Sequence, residues 1–135
     1  MAHAKFPTRI LTPEGEVFNG ELEMVSTRTT VGLIGVMARH APLLATLEPT
    51  ELRLHSGEGE VERFAQSEGY LQVGDNQALL LVEEVTPVAK LDAEALRERL
   101  RAAEQEIEAA GDNTERRRGA LRDKKRWETF LSLAK

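Results

Sequence analysis

Short apolar segments broken by turn residues run from residue 6 to about residue 85, and this pattern most limits the folds open to the chain. Turn signals recur roughly every 8–12 residues, as at Pro13-Glu-Gly15, Ser56-Gly-Glu-Gly59 and Gly74-Asp-Asn76. Between them, Glu51-Leu-Arg-Leu-His55 alternates polar and apolar side chains, as a strand with one buried face does. No segment has the ~30-residue strand–helix–strand rhythm of a parallel sheet. The pattern therefore predicts an antiparallel β-sandwich.

Two local signals refine the strands of this sandwich. Asn19-Gly20 is the strongest two-residue hairpin signal in the chain and predicts a turn at that point. After it, Leu22, Met24 and Ser26 alternate with their neighbours, which predicts that these three residues share one face of the next strand.

Residues 31–44 mix two glycines, a proline, an arginine and a histidine with aliphatic side chains, a combination that a plain strand or helix would not need. Gly32 and Gly35 indicate a tight bend or a close approach of the backbone. Pro42 removes a backbone donor, so a new segment is expected to begin at Leu43. The stretch predicts a strand, a shaped corner and a second strand.

After Pro87 the pattern becomes helical, which divides the chain into a β-sandwich at residues 1–87 and a helical hairpin at residues 88–135. The helices are predicted at about residues 92–110 and 113–133. Asp92 is placed to cap the first helix and Gly111 to end it. Asp112 and Glu115 have the spacing of a capping box for the second helix. The apolar stripe of the first helix consists of Leu96, Leu100, Ala103, Ile107 and Ala110.

The second helix is basic, although the chain as a whole has a net charge of −5. Residues 112–135 carry eight Lys and Arg against four Asp and Glu, whereas residues 1–90 carry seven against thirteen. Gly119 interrupts the basic half and costs about 1 kcal/mol relative to alanine, so the helix is expected to be able to leave its neighbour. A sequence pI near 5.3, with no aromatic residues among these arginines, favours an acidic protein surface over nucleic acid as its partner.

The residues needed for catalysis or metal binding are scarce. The chain has no cysteine, and His3, His40 and His55 lack ligand spacing to one another. No serine elbow, phosphate loop or dinucleotide fingerprint is present, so we expect neither an enzyme nor a metal site. His40 has two interpretations, a corner residue bonded to local backbone or a contact for a partner. No signal peptide or membrane-spanning run is expected, which predicts a soluble intracellular protein.

Four stretches occur in the order seen in one known family. They are Thr12-Pro-Glu-Gly-Glu-Val-Phe-Asn-Gly20, Gly35-Val-Met-Ala-Arg-His-Ala-Pro-Leu-Leu44, Glu68-Gly-Tyr-Leu-Gln-Val73 and Leu91-Asp92. Together they resemble the epsilon subunit of bacterial F-type ATP synthases, which is similar to the mitochondrial delta subunit. The resemblance covers essentially the whole chain, and its His-Ala-Pro-Leu-Leu stretch is quite specific.

The resemblance implies a sandwich of about ten strands, an antiparallel two-helix hairpin and a non-catalytic rotor subunit of the central stalk. Such a subunit binds the gamma subunit and the c-ring, contacts the alpha and beta subunits, and helps couple proton flow to ATP synthesis. The residues assigned to gamma are Thr12, His40 and Ala45, and those assigned to the c-ring are Val31, Gly32 and Leu33. The implied location is the cytoplasmic face of the bacterial cell membrane, reached only through the complex.

In the family, the helices either fold down or extend along gamma and block ATP hydrolysis, with basic residues meeting an acidic segment of beta. The residues that fit this role are Arg116, Arg118, Arg122, Lys125 and Arg126. Some members bind ATP through an aliphatic-Asp-x-x-Arg-Ala motif at the position of Leu91 and Asp92. Here the motif arginine is absent, so we expect no tight ATP binding and no cofactor.

The competing hypothesis is a free-standing β-sandwich binding module whose basic helix recruits nucleic acid or an acidic protein. An enzyme is the third class, and the sequence supports it least.

Overall fold

The structure is a computed structural model that describes residues 3–134. It forms two compact units that divide between Pro87 and Val88. The first unit contains ten strands and the second contains two α-helices, which confirms the predicted fold class. None of the helices in the described part of the chain combines the length and the apolar character that crossing a bilayer requires.

The strands are short and follow one another closely, as the spacing of the turn signals predicts. Their bounds are β1 Phe6–Thr12, β2 Gly15–Leu22, β3 Met24–Thr29, β4 Gly32–Met37, β5 Leu43–Leu47, β6 Thr50–Gly57, β7 Glu60–Gln66, β8 Gly69–Gly74, β9 Gln77–Val82 and β10 Val85–Pro87. They join in the order β10-β7-β6-β3-β5-β8-β9-β1-β2, with β4 added beside β3. One pairing, between β1 and β9, is parallel, and the other described pairings are antiparallel.

A single hydrophobic core holds the sandwich together, because nine of the ten strands contribute side chains that are almost fully buried. These residues are Phe6, Ile10, Leu22, Val25, Val36, Leu47, Leu52, Leu54, Phe64, Leu71, Val73, Ala78, Leu80 and Val82. Several polar residues, among them Thr27 and Gln66, are equally buried. Thr27 Oγ1 donates to Gln66 Oε1 at 2.6 Å, and Gln66 Nε2 donates to the carbonyls of Glu48 and Ser67 at 3.1 Å. These bonds offset the cost of burying the amide.

The prediction of a hairpin turn at Asn19-Gly20 is wrong, because both residues lie inside β2. Asn19 pairs with Arg9 and Gly20 with Thr8, and the β1–β2 turn lies at residues 13–14 instead. A Cβ on Gly20 would lie 3.0 Å from the ring of Phe18, so the glycine makes room for that aromatic side chain. Pairing with β1 and the packing of Phe18 outweigh the local turn preference.

A tight two-residue turn with left-handed backbone lies at Asp75-Asn76, between β8 and β9. Both residues have positive φ, 50° and 59°, as a type I′ turn requires. Asn and Asp tolerate this conformation better than most residues other than glycine.

The prediction that Leu22, Met24 and Ser26 share one apolar face is wrong beyond Leu22. The buried residues of β3 are Val25, Thr27 and Thr29, whereas Met24 and Ser26 are half-buried. The alternation shifts by one residue at Glu23, where a bend separates β2 from β3. Such a shift moves a strand's inward set to its other residues.

Residues 31–44 form the strand β4, a turn and the strand β5, as predicted. The bend that the glycines indicate lies at residues 30–31, and Gly32 follows it with φ 134°. Gly35 lies inside β4, where an added Cβ would approach Met24 Sδ to 3.3 Å. The corner before β5 contains Arg39, whose φ of 63° is uncommon for a residue other than glycine.

The second unit begins with a short 3₁₀ turn at Val88–Lys90 and continues as α1 Ala93–Ala110 and α2 Thr114–Leu133. Asp92 caps α1 by accepting hydrogen bonds from the amides of Glu94 and Ala95, and Gly111 ends the helix, as predicted. The predicted capping box is wrong. Asn113 is the N-cap of α2, and its side chain accepts from the Arg116 amide at 3.1 Å. The cap is one residue later than expected, so Glu115 is not at the position that a capping box needs.

Candidate interaction surfaces

The β3–β4 turn presents apolar side chains to solvent. Val31 is 95% exposed and Leu33 is 72% exposed. Thr29 braces this turn, because its hydroxyl accepts from the Val31 amide at 3.2 Å and donates to the Gly32 carbonyl at 3.1 Å. A braced turn loses little conformational freedom when a partner covers it, which favours binding. The three residues assigned to the c-ring therefore lie together at one exposed tip.

The residues assigned to gamma are distributed along the sandwich. Thr12 lies at the end of β1, where its hydroxyl accepts from the Glu14 amide at 3.2 Å. His40 lies in the corner after β4, next to Arg39, whose amide donates to Asn76 Oδ1 at 2.7 Å. Asn76 precedes the start of β9, whereas Leu11, next to Thr12, pairs with Leu81 near its end. Thr12 and His40 are therefore not brought together.

His40 forms local backbone contacts. Its Nδ1 lies 2.7 Å from the Ala41 carbonyl oxygen, and its amide donates to the Met37 carbonyl at 3.2 Å. The first contact requires a proton on Nδ1, since a carbonyl oxygen only accepts. The structure thus supports the corner interpretation, with the half-buried ring fixed in orientation.

Ala45 pairs with Leu71 of β8, and Leu71 pairs with Leu80 of β9. Residues opposite one another in a sheet point to the same side, and both leucines are fully buried, so the Ala45 methyl group faces inward. Its neighbour Leu44 points outward and is 74% exposed. At this position of β5, Leu44 offers the side chain that a partner can reach.

Sequence reasoning missed an apolar stripe on the outward face of β5, β8, β9 and β1. We define it as Leu44, Tyr70, Leu81 and Leu11. Tyr70 is 57% exposed and pairs with Leu81, which is 41% exposed and pairs with Leu11. A groove of about 360 Å³ lies against this stripe and includes Thr12 and Pro13 in its lining. An exposed apolar patch of this kind is typical of a protein interface.

The five cations assigned to the beta subunit do not share one face of α2. At about 100° per residue, Arg118, Arg122, Lys125 and Arg126 fall within an arc of about 100°, and Arg116 points away from them. The Arg116 guanidinium pairs with Glu106 of α1. The hydrogen bond and charge of Arg116 lower the pKa of Glu106, and those of Glu106 raise the pKa of Arg116.

Two of the remaining cations, Arg118 and Arg122, line a shallow pocket of about 210 Å³ together with Glu115 and Gly119. The guanidinium carbon of Arg126 lies 5.2 Å from the centre of the Trp127 ring. The Lys125 carbonyl accepts from Thr129 Oγ1 at 2.9 Å within the helix.

The sandwich also carries a charged cluster on β6 and β7 that no prediction included. Glu51 binds Arg53 of its own strand at 2.6 Å and Arg63 of the neighbouring strand. Burial would raise the pKa of Glu51, but the hydrogen bonds from the two arginines outweigh it and lower that pKa. Because the two arginines are half-exposed, this cluster fastens β6 to β7 only modestly.

The candidate ATP contacts, Leu91 and Asp92, lie at the start of α1. The Asp92 carboxylate is already used as the helix cap, and the Leu91 amide donates to the Val88 carbonyl at 3.2 Å. Among residues 3–134, no three His, Cys, Asp or Glu side chains form a group that would hold a metal ion.

Comparison with solved structures assigns the fold to a class. A chain in the cryo-EM structure of the Euglena gracilis mitochondrial ATP synthase, OSCP/F1/c-ring in rotational state 1, superposes with a TM-score of 0.78 at 19% identity, covering 96% of this chain and 81% of that one. A chain of the Tetrahymena thermophila mitochondrial ATP synthase, central stalk and c-ring, gives a TM-score of 0.55 at 15% identity over 67% of this chain and 72% of that one. The fold is therefore one that occurs in ATP synthases.

The amino-acid sequence identifies the family. Residues 5–88 match the family described as ATP synthase, Delta/Epsilon chain, beta-sandwich domain. The ATP synthase epsilon chain of Rubrobacter xylanophilus is 36% identical over 99 residues, which cover 73% of this chain and 67% of the relative. That of Persephonella marina is 32% identical over 130 residues, which cover 96% of both chains. The chain belongs to the delta/epsilon family of ATP synthase subunits. This confirms the predicted resemblance and does not favour the free-standing module.

Proposed function

We propose that this protein is the central-stalk rotor subunit of an F-type ATP synthase, and that it is non-catalytic. It couples proton flow through the membrane ring to ATP synthesis and inhibits ATP hydrolysis through its C-terminal helices. The family match over residues 5–88 carries this proposal. The relatives named epsilon chain extend the likeness beyond the sandwich, since one alignment covers 96% of this chain.

We assign to the sandwich, residues 1–87, the permanent contacts between this subunit and the other rotor subunits. The solved relatives are described as assemblies with F1, a central stalk and a c-ring. The tip at Val31, Gly32 and Leu33 is the c-ring contact, because it presents braced apolar side chains. Thr12 and His40 lie at the border of the surface that contacts gamma. The apolar stripe, which includes Leu44 next to Ala45, forms the centre of that surface, where buried apolar side chains contribute most to affinity.

We assign the hairpin, residues 88–135, to inhibition. The outward cations of α2, which include Arg118 and Arg122, are the contacts for an acidic surface of the beta subunit. No cofactor takes part, because Asp92 is engaged as a helix cap and the ATP motif arginine is missing. The subunit attaches to the cytoplasmic face of the membrane only through the complex.

The test is removal of residues 112–135 in the assembled complex. The expected result is a several-fold rise in ATP hydrolysis with normal assembly, because the proposed inhibitory helix is gone while the sandwich keeps its contacts. Hydrolysis is measured together with subunit stoichiometry by gel. Equal rates in truncated and full-length complexes would contradict the proposal.

A full-length variant separates the effect of the positive charges on ATP hydrolysis from the effect of deleting the helix. Arg118→Gln with Arg122→Gln removes two exposed cations that form no ion pair in the described structure, so α2 is retained. This variant should reproduce part of the rise. Arg97→Gln on α1 is the matched control, and it should leave hydrolysis unchanged.

A further inference from the structure

Arg39, in the corner between β4 and β5, has a backbone conformation that arginine seldom adopts. Its φ is 63°, in the left-handed region that favours glycine and, to a lesser degree, asparagine and aspartate. Asn76, in the β8–β9 turn, holds the corner in place, because its side chain accepts a hydrogen bond from the Arg39 amide at 2.7 Å. The chain therefore keeps an arginine, in a fixed position, where a glycine would fit without strain.

Strain alone does not assign a role to this residue, because Glu58 in the β6–β7 turn has a similar φ of 54°. Glu58 lies between Gly57 and Gly59, which also have positive φ, so its conformation follows from the geometry of a tight hairpin turn. The Arg39 corner is instead held by a side chain 37 residues away along the chain. Unusual backbone conformations that the surrounding structure holds in place are frequent at binding sites. Arg39 is therefore a candidate for a contact outside the chain.

The Arg39 side chain is exposed, and its guanidinium forms no hydrogen bond or ion pair within residues 3–134. Asp75, the acid next to Asn76, is also exposed and does not pair with it. A guanidinium without a partner offers a planar set of N–H donors, which fits a carboxylate through two parallel hydrogen bonds.

A groove of about 270 Å³ begins at the turn that holds Arg39 and lies on the same outward face as the apolar stripe. We call it the polar groove, and its polar lining residues are Arg9, Asn19, Gln72, Asp75 and Gln77. Gln72 lies two residues from Tyr70 on β8, and Arg9 lies two residues from Leu11 on β1. Residues at this spacing share one face of a strand and lie about 7 Å apart, so the polar groove adjoins the apolar stripe.

We propose that Arg39 binds a carboxylate of the gamma subunit, carried by the segment of gamma that crosses the polar groove. This inference rests on the proposed function, which assigns the neighbouring apolar stripe to gamma. The arginine inside the groove, Arg9, is already paired with Glu16 at 2.9 Å. The groove therefore supplies hydrogen-bonding amides, and Arg39 at its rim supplies the unpaired charge. An apolar centre with a charged contact at its edge combines affinity with selection of the partner.

The test is the affinity of the full-length protein for the tagged gamma subunit, measured at low and at high salt. Arg39→Ala should weaken binding by about tenfold at low salt, because a charge-assisted contact is lost. The difference from the wild type should shrink at high salt, which screens the two charges. Arg28→Ala removes an exposed arginine of β3, a strand outside this face, and is the matched control; it should change the affinity by less than about twofold.

The outcomes separate this inference from the proposed function. If the wild type binds gamma and Arg39→Ala binds it equally well, the inference is overturned and the proposed function stands. If the wild type does not bind gamma, the proposed function fails and the inference fails with it.

Two glycine variants separate binding from the stability of the corner. Arg39→Gly and Glu58→Gly each replace a left-handed residue by glycine, so both should melt at a temperature no lower than that of the wild type. Only Arg39→Gly should lose affinity for gamma. A fall in the melting temperature of Arg39→Gly, or equal binding by the two variants, would show that the arginine serves the fold and would overturn the inference.

The chemistry of the partner group is read from Arg39→Lys, which keeps the charge and supplies an amine. A carbodiimide should join this amine to the gamma carboxylate as an amide, with the water taken up by the reagent as a urea. Mass spectrometry of the product then identifies the acidic residue of gamma. Arg28→Lys is the matched control and should not be joined to gamma. If the two variants give the same yield of cross-linked gamma, no carboxylate faces Arg39 and the inference is overturned.

Discussion

Gly69 opens β8, at a point where the backbone of β9 passes too close for any side chain. A Cβ on Gly69 would fall on the Leu81 carbonyl oxygen and lie 2.8 Å from Val82 Cα. Backbone atoms cannot move aside without breaking the pairing of β8 with β9. At the other end of the same strand, Gly74 has nothing within 4 Å of the equivalent position. Two glycines of one strand therefore differ sharply in how they constrain the fold.

Gly69→Ala should destabilise the sandwich by about 2 kcal/mol or more, because the added methyl group forces a backbone shift. Gly74→Ala is the matched control and should change stability by less than about 0.5 kcal/mol. The measurement is urea unfolding of the full-length protein followed by circular dichroism. Equal midpoints for the two variants would show that β9 yields at this point.

The sequence alone does not distinguish these two glycines. Gly69 precedes the apolar segment of β8 and Gly74 follows it, so both look like glycines at the edge of a strand. The difference arises from the distance between two backbones, which depends on the pairing partner. Similarly, Gly20 appears as half of a turn signal, whereas its function is to accommodate the ring of Phe18.

At the scale of secondary-structure elements, the start of α2 gives a direct test of the corrected cap. Asn113→Ala removes the side chain that accepts the Arg116 amide and should cost about 1 kcal/mol of helix stability. Asp112→Ala, the matched control, removes only a charge near the helix start and should cost a few tenths of that. Amide exchange in the first turn of α2 measures both effects. A larger effect from Asp112→Ala would show that Asp112, and not Asn113, caps α2.

The sequence predicts which strands and helices form, but it predicts less well which face of a strand is buried and where the turns lie. The alternation in β6 and the stripe on α1 arise from local periodicity, and both are found in the structure. The face of β3 was predicted incorrectly because the chain bends at Glu23, and a bend leaves no signal in a two-residue period. The turn at Asp75-Asn76 was visible only as part of a longer turn signal. Residue preferences indicate where a turn can form, and the pairing of the strands determines which of these turns is present in the structure.

For the molecule as a whole, the two units should have separable partners. Leu44→Glu places a charge at the β5 end of the apolar stripe and should weaken co-purification with a tagged gamma subunit by about tenfold, because a charge would be desolvated at that interface. Since Leu44 is 74% exposed, the fold should be unaffected. Val61→Glu, at a 41% exposed position on β7, is the matched control and should bind normally. Equal binding of both variants would exclude the stripe from the gamma contact.

The apolar stripe was not predictable because its members lie in segments where inward and outward residues are both apolar. Residues 77–82 contain three consecutive leucines, so the outward Leu81 is not separable by composition from the buried Leu80. Only the register of β8 on β9 assigns their directions. The tip at Val31 was located through a family resemblance, and its exposure is consistent with that assignment.

The strand β3 belongs to both halves of the sandwich. It pairs with β4 along its length, with β6 through its first three residues and with β5 through Thr29. A force applied to the β3–β4 tip therefore spreads into two groups of strands through hydrogen bonds, with no compliant linker in the path. For a component that turns under torque, this makes the sandwich torsionally stiff, so that it transmits an applied twist and stores little of it as internal deformation.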